Sequence, residues 1–275
     1  MCGIAGMLDL REARTIDLDV LQRMTRTLSL RGPDGEGDHT TPGVGLGHRR
    51  LSIIDLEGGD QPIYNTDGSV VTVYNGEIYN FEALRQELEG LGYHFRTRSD
   101  TEVIVHGWDA WGEACVERFN GMFALAVWDE NRRCLFLARD RIGIKPLYYG
   151  TTRDGFLVFG SALKALLEHP GLERRLRADA IEDFFAFGYV PDPKSILEGV
   201  HKLPPGYTLR IERGGQVPEP RRYWDVEFPT DPVAADGRID EIPERLAHSV
   251  GLRMIADVPL GAFLSGGVDS SAVVG

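Results

Sequence analysis

The second residue of the chain is a cysteine, in the run Met1-Cys2-Gly3-Ile4-Ala5-Gly6. With the initiator Met removed, Cys2 carries a thiol and a free α-amine on one residue. The amine titrates near ~7.7–8.0 and is partly neutral at physiological pH. The thiol titrates near ~8.5 and is a strong nucleophile once ionised. One residue can therefore supply both nucleophile and base; the plain alternative is a small apolar residue that opens a strand. A second candidate is the run Ser265-Gly266-Gly267-Val268-Asp269-Ser270-Ser271. The apolar stretch Val258–Leu264 leads in as a strand, and Ala272-Val273-Val274 leads out as a helix start. Paired glycines bring backbone N–H groups close to an anion, serines add hydroxyl donors, and a helix N-terminus favours negative charge. That chemistry suits phosphate, but the run lacks the lysine of a GxxxxGK[ST] loop.

The elements around these residues set the fold class. Cys2 to Leu8 reads as a buried strand. Asp17 to Leu28 reads as a helix with Leu18, Leu21, Met24 and Leu28 on one face. Arg31-Gly32-Pro33-Asp34-Gly35 is turn chemistry. Val44–Leu46 and Leu51–Ile54 read as short strands and Val70–Tyr74 as a clear one. Asn80 is placed to cap a helix with apolar face Phe81, Leu84, Leu88 and Leu91. Ser99-Asp100-Thr101-Glu102 fits a capping box before Val103–Trp111. Strands at Phe123–Trp128, Cys134–Ala138, Leu147–Tyr149 and Phe156–Phe159 follow, then helices at Ala162–Leu167 and Ala178–Ala186 and a strand at Tyr207–Ile211. Hairpin-like connections predict an α+β layered domain rather than a regular βαβ alternation. Residues 214–240, with Pro218, Pro220, Pro229 and Pro232, read as a linker. A helix bearing Ile242, Leu246, Val250 and Met254 comes next.

Composition excludes several classes. Of 275 residues, 42% are hydrophobic and 26% charged, the balance of a globular protein, and the net charge is -12. With Arg174, Arg175 and Arg177 interleaved with Glu173 and Leu176, no basic run exists to neutralise a phosphate backbone, so nucleic acid is disfavoured. Three cysteines without CxxC spacing suit a reducing cytoplasm better than disulfides or a zinc site, and Cys115 and Cys134 read as core residues. No basic, then apolar, leader opens the sequence, and no run of about 18 apolar residues occurs to span a membrane. The seven histidines form no HxxxH pair, so no metal site is expected.

Further motifs complete a pattern: Arg31-Gly32-Pro33-Asp34, His48-Arg49-Arg50-Leu51-Ser52-Ile53, Asn75-Gly76-Glu77-Ile78-Tyr79-Asn80, Ser99-Asp100, and Arg139-Asp140-Arg141-Ile142-Gly143-Ile144-Lys145-Pro146-Leu147-Tyr148-Tyr149. In this order, with Cys2 and the 265–271 loop, they resemble the glutamine-hydrolysing asparagine synthetase family. That family joins a class II glutamine amidotransferase domain to a PP-loop ATP pyrophosphatase domain. The resemblance implies an N-terminal-nucleophile hydrolase fold, a four-layer sandwich of two antiparallel sheets between helices, over residues 1–213. Residues 241–275 would then be the truncated start of the PP-loop domain. It also implies site roles: Cys2 as nucleophile, Asn75 and Gly76 as oxyanion hole, and Arg50, Ile53, Ile54, Glu77 and Asp100 as the glutamine site, with Arg50 on the α-carboxylate and Asp100 on the α-ammonium. Leu264, Ser265, Gly266, Gly267, Asp269 and Ser270 would bind ATP, with Mg²⁺, in the intact protein. The plain reading of Asn75-Gly76 is a type I′ turn, of Glu77 a first-turn helix acid, of Arg50 a surface ion pair and of Asp100 a charge at a helix start.

The implied activity is hydrolysis of glutamine to glutamate and ammonia, with ammonia passed to aspartate to give asparagine. The implied setting is the cytoplasm, as a homodimer. Two alternatives remain open on sequence. One is amidation of another carboxylate, such as a sugar acid or exopolysaccharide, which Phe187–Lys194 weakly resembles. The other is a non-catalytic glutamine sensor. The segment beyond about Asp240 is expected to be mobile and not to bind ATP usefully, because a central parallel strand cannot bury both faces alone.

Overall fold

The computed structural model describes residues 2–11, 14–228 and 239–275. In chain order the elements are β1 (Gly3–Asp9), α1 (Leu18–Arg26), β2 (Gly35–Thr41), β3 (Val44–Arg50), β4 (Ile63–Tyr64), β5 (Val70–Ile78), α2 (Phe81–Gly90), α3 (Glu102–Trp111), α4 (Cys115–Arg118), β6 (Gly121–Asp129), β7 (Cys134–Arg139), β8 (Tyr148–Thr151), β9 (Phe156–Gly160), α5 (Leu163–Leu166), α6 (Ala178–Phe187), β10 (Val200–Lys202), β11 (Tyr207–Glu212), β12 (Arg221–Arg222), α7 (Ile242–Gly251) and α8 (Val268–Val274). The strands form two six-stranded sheets, β10-β8-β9-β1-β3-β2 and β12-β11-β7-β6-β5-β4. Every strand pair in both is antiparallel.

Period-two alternation sorts the apolar side chains into three cores. Ile4, Leu8, Val71, Val73, Ala124, Ala126, Leu135 and Leu137 meet between the sheets. Val70, Tyr74, Phe123, Leu125 and Phe136 face the other way, against Leu84, Leu88, Ile104 and Trp108 of α2 and α3. Ala5, Met7 and Val158 back onto Leu21, Met24 and Leu166 of α1 and α5. Three cores between four layers are the sandwich that the family resemblance implies. Cys115 and Cys134 are buried in the helix-side core of the second sheet.

Local readings changed where tertiary contacts compete for the same groups. In α1, Asp17 accepts from the N–H groups of Asp19 and Val20, and Val20 takes the inward position while Leu18 is exposed. Asn80 does not cap α2. Its amide spans to the next segment instead, donating to the Arg118 carbonyl and accepting from the Asn120 N–H. The capping box before α3 does not close either. The Glu102 carboxylate turns to the N–H groups of Arg96 and Thr97 and to His106, while Ser99 Oγ accepts from the Thr101 N–H. Leu51–Ile54 is loop, not strand, because β3 already ends at Arg50. The polar edge strand β2 and the short β4, β10 and β12 carry too little apolar alternation to be read from sequence.

The segment read as a linker begins inside the sheet. Arg221–Arg222 pairs with Tyr207–Thr208, and Tyr223 and Trp224 both donate to the Gly206 carbonyl. Residues 229–238 of that segment, including Pro229 and Pro232, lie outside the described residues. Val258–Leu264 forms no strand: Leu260, Phe263 and Leu264 are exposed. No described strand lies alongside to complete its hydrogen bonds, and an unpaired strand is not stable.

Candidate active site

Strand β1 delivers Cys2 to the rim of a cleft at one end of the inter-sheet core. Its register is fixed by pairing Gly3 with Arg49 and Ile4 with His48. Arg31 Nε donates to the Cys2 carbonyl at 3.1 Å. The Leu51 N–H donates to Cys2 Sγ at 3.3 Å. Burial pushes the Cys2 thiol up, and the Leu51 hydrogen bond and the Arg50 charge only partly oppose that. The thiol is therefore protonated at rest and needs a base before it can attack.

The cleft has a volume of about 110 Å³ and gathers Cys2, Arg50, Ile53, Ile54, Asn75, Gly76, Glu77, Asp100 and Lys145. It has space for roughly ten water-sized groups, the scale of one free amino acid. All eight sequence-predicted residues of the glutaminase site are brought together here. The 264–270 residues are not among the lining.

Asn75 and Gly76 lie within β5, opposite Ala124 and Phe123 of β6, so neither the hairpin turn nor the helix-acid reading of Glu77 applies. A Cβ on Gly76 would stand 2.2 Å from the Met122 carbonyl oxygen, so only glycine lets the two strands approach there. Asn75 is 0% exposed, and among the described residues its side-chain Nδ2 and Oδ1 have no protein partner. Orphaned buried amides cost about 1–3 kcal/mol and call for an explanation. A ligand reaching the Nδ2–H from the cleft supplies one.

Arg50, at the end of β3, is not a surface ion pair. It is buried and binds Asp60 Oδ1 at 2.8 Å and the carbonyls of Ile54, Asp55 and Leu56 at 3.2, 2.6 and 3.1 Å. Four contacts from one guanidinium wrap the 54–60 loop around it. Asp100 is buried too, and its Oδ2 accepts from Tyr74 Oη and the Ile78 N–H, both at 2.9 Å. Burial pushes the Asp100 carboxyl up despite these donors. A cation in the cleft would hold it ionised. Glu77 is likewise raised, by burial and then by Asp100, with Lys145 opposing.

Lys145 has no assigned part in the sequence reading, although it stands in the Arg139–Tyr149 motif. It is buried in the cleft wall, burial lowers its pKa, and among the described residues no carboxylate lies within ion-pair distance. A lysine between turn residues and an apolar strand is the one signal that could have singled it out. Gln61 and Thr101 also line the cleft and support Tyr74 and each other.

His48 sits behind the site, between the sheets. Its Nε2–H donates to the Tyr74 carbonyl at 3.1 Å, and burial holds the imidazole pKa at about 3. An unfolded histidine titrates near ~6.5. Between those values only the unfolded chain takes the proton. The stabilising effect is thus complete above about pH 6.5 and is lost progressively as pH falls toward 3, at about 1.4 kcal/mol per pH unit. His48→Gln keeps a donor and removes the titration. Urea midpoints of the wild type should fall more steeply than those of His48→Gln between pH 6.5 and 5; parallel slopes would exclude this assignment.

The Ser265–Ser270 loop partly fits a phosphate. Gly266 has φ 82°, Ser265 Oγ and Ser270 Oγ lie 3.0 Å apart, and Gly267 precedes α8. Among the described residues no group of three or more His, Cys, Asp or Glu side chains accompanies it. No described helix is long and apolar enough to cross a membrane.

Known proteins resemble this chain along most of its length. The glutamine amidotransferase domain family matches residues 1–224, and the asparagine synthase family matches residues 241–275. The chain is 40% identical over 276 residues to asparagine synthetase [glutamine-hydrolyzing] 3 of Bacillus subtilis, covering 99% of this chain and 44% of that protein. It is 37% identical to asparagine synthetase [glutamine-hydrolyzing] 1 of the same organism, covering 43% of it. The chain thus spans less than half the length of these curated relatives. Among solved structures, glutamine phosphoribosylpyrophosphate amidotransferase from B. subtilis superposes with TM-score 0.57 at 21% identity, over 81% of this chain and 49% of the other. That likeness concerns the fold alone, two antiparallel sheets sandwiched between helix layers. With the match running through both sheets and every element that lines the Cys2 cleft, the chain belongs to the glutamine amidotransferase domain family.

Proposed function

We propose that the Cys2 cleft hydrolyses glutamine to glutamate and ammonia. The observation that carries the reading is the unpartnered amide of buried Asn75 in the same small cleft as the Cys2 sulfur. With Met1 removed, the Cys2 α-amine takes the thiol proton as sulfur attacks the side-chain carbonyl carbon of glutamine. Asn75 Nδ2–H and the Gly76 N–H face the oxygen that gains negative charge. The carbon–nitrogen bond then breaks, and the amine returns the proton to the leaving ammonia. Water attacks the resulting γ-glutamyl thioester, releasing glutamate and restoring the thiol.

Arg50 and Asp100 bind the amino-acid end of the substrate, as anion and cation partners. Incubation with glutamine should release ammonia and glutamate in equal amounts; no release would sink the reading. Arg50→Ala and Asp100→Ala should each act mainly through KM, since a hydrogen bond to a charged group is worth about 1.5–3 kcal/mol. Unchanged KM in both would refute these roles. For the longer protein we propose that the ammonia passes to aspartate, with ATP and Mg²⁺, giving asparagine in the cytoplasm; the names of the relatives, asparagine synthetases that hydrolyse glutamine, support the product. A homodimer and binding of ATP by Leu264, Ser265, Gly266, Gly267, Asp269 and Ser270 belong to the same reading.

A further inference from the structure

The residues after α7 turn back onto the cleft wall. The Asp257 N–H donates to the Ile53 carbonyl at 2.8 Å, and Asp257 Oδ2 accepts from the Asp55 N–H at 2.7 Å. Ile255 packs against the helix-side core, and the Arg253 guanidinium lies 4.3 Å from the centre of the Tyr79 ring. Ile53 and Ile54 line the Cys2 cleft directly.

Asp55 is the strained point of this wall. It has φ 53°, in the left-handed region that a non-glycine residue occupies at a cost. Such a residue persists only where its surroundings over-determine it. Here each of its polar groups is engaged. Its carboxylate accepts from the N–H groups of Gly58 and Arg98 at 3.1 and 2.7 Å. Its carbonyl accepts from Arg50 Nη2 at 2.6 Å and from the Gly59 N–H at 2.9 Å. Among the described residues, its N–H has Asp257 as partner. Removing that carboxylate leaves a largely buried N–H unpaired and frees the wall on one side.

We propose that Asp257 is a positioning residue for the glutamine site, clamping the Ile53–Asp55 wall from the segment that matches the second family. It touches no reacting atom; it acts by holding the loop that Arg50 also holds. Only residues 258–264 separate it from Ser265, so the clamp ties the phosphate-type loop to the glutamine cleft by a short covalent path. The inference rests on reading the cleft as a glutamine site.

The test uses the full 275-residue chain with Asp257→Ala and Asp257→Asn. Asp257→Ala should raise KM for glutamine about tenfold, leaving kcat within about twofold, because the wall binds substrate and does no chemistry. Asp257→Asn, whose Oδ1 still accepts, should recover most of the loss. Amide exchange should read the clamp without any catalysis: the Asp55 N–H should be protected in the wild type and exchange at least tenfold faster in Asp257→Ala. Equal KM or equal Asp55 exchange in wild type and Asp257→Ala overturns the clamp, as does a loss confined to kcat. A wild type that shows the exchange difference but releases no ammonia overturns the glutamine reading and leaves the clamp standing.

Discussion

Cys2→Ala is expected to abolish ammonia release from glutamine, while Cys115→Ala and Cys134→Ala retain it. The three thiols differ in ways that decide reactivity. Cys115 is sealed in the core, and burial pushes its pKa up to about 12. Cys134 is buried on β7, raised by burial with Arg210 partly opposing. Neither opens on the cleft. Cys2 is also raised by burial, but it is only partly buried and lines the cleft, is held by the Leu51 N–H, and can carry its own base on its α-amine. A group that is both nucleophile and base carrier cannot be replaced by its neighbours, so the loss should exceed that of any other single change. N-terminal sequencing beside the assay adds a second arm. Chains that keep Met1 have an amide where the free amine should be and should be inactive. Ammonia release by Cys2→Ala at the wild-type rate would end the proposed mechanism.

How much of this was legible in the sequence depends on what carried the signal. The central strands could be read because Val70–Tyr74, Phe123–Trp128 and Cys134–Ala138 are apolar on both faces, as strands between two cores must be. Caps could not, because Asn80, Ser99 and Glu102 have several local partners to choose from. Asn80 was claimed by residues 118 and 120, Glu102 by residues 96, 97 and 106. Sequence spacing cannot rank such competitors. The residues of the cleft were reachable only through ordered motifs, since Cys2, Arg50, Asn75 and Asp100 come from four separated segments. Their surroundings were not reachable at all. Nothing in the order of residues shows that Arg50 spends four donors on its own loop, that Lys145 lines the same cleft as Glu77, or that Asp257 reaches back to Asp55. The failed reading of Val258–Leu264 has the same origin. An apolar run records what a segment could bury, and only the presence of neighbouring strands decides whether it does.

Asn75→Ala should lower kcat for glutamine hydrolysis by roughly 10²–10³-fold, the range for loss of one oxyanion donor. Position and desolvation both point to that size. Asn75 is held within an antiparallel pair, opposite Ala124, so the pairing fixes the face of β5 from which its side chain leaves. Its amide is buried and has no protein partner among the described residues, so little of its desolvation cost remains to be met when substrate arrives. A donor arranged in that way gains most where charge develops on the substrate oxygen and little in the ground state, which places the effect in kcat rather than KM. Gly76 offers its backbone N–H, which no side-chain change removes, and that donor sets the residual rate of Asn75→Ala. Stability should move the other way from activity. Alanine removes two unpaired buried polar atoms from the core edge, so the melting temperature of Asn75→Ala should match or exceed that of the wild type. A variant that loses stability together with kcat would mean that Asn75 is a structural residue whose partner lies within the protein. A variant with a tenfold higher KM and unchanged kcat would move it from the oxyanion to the amino-acid end of the substrate.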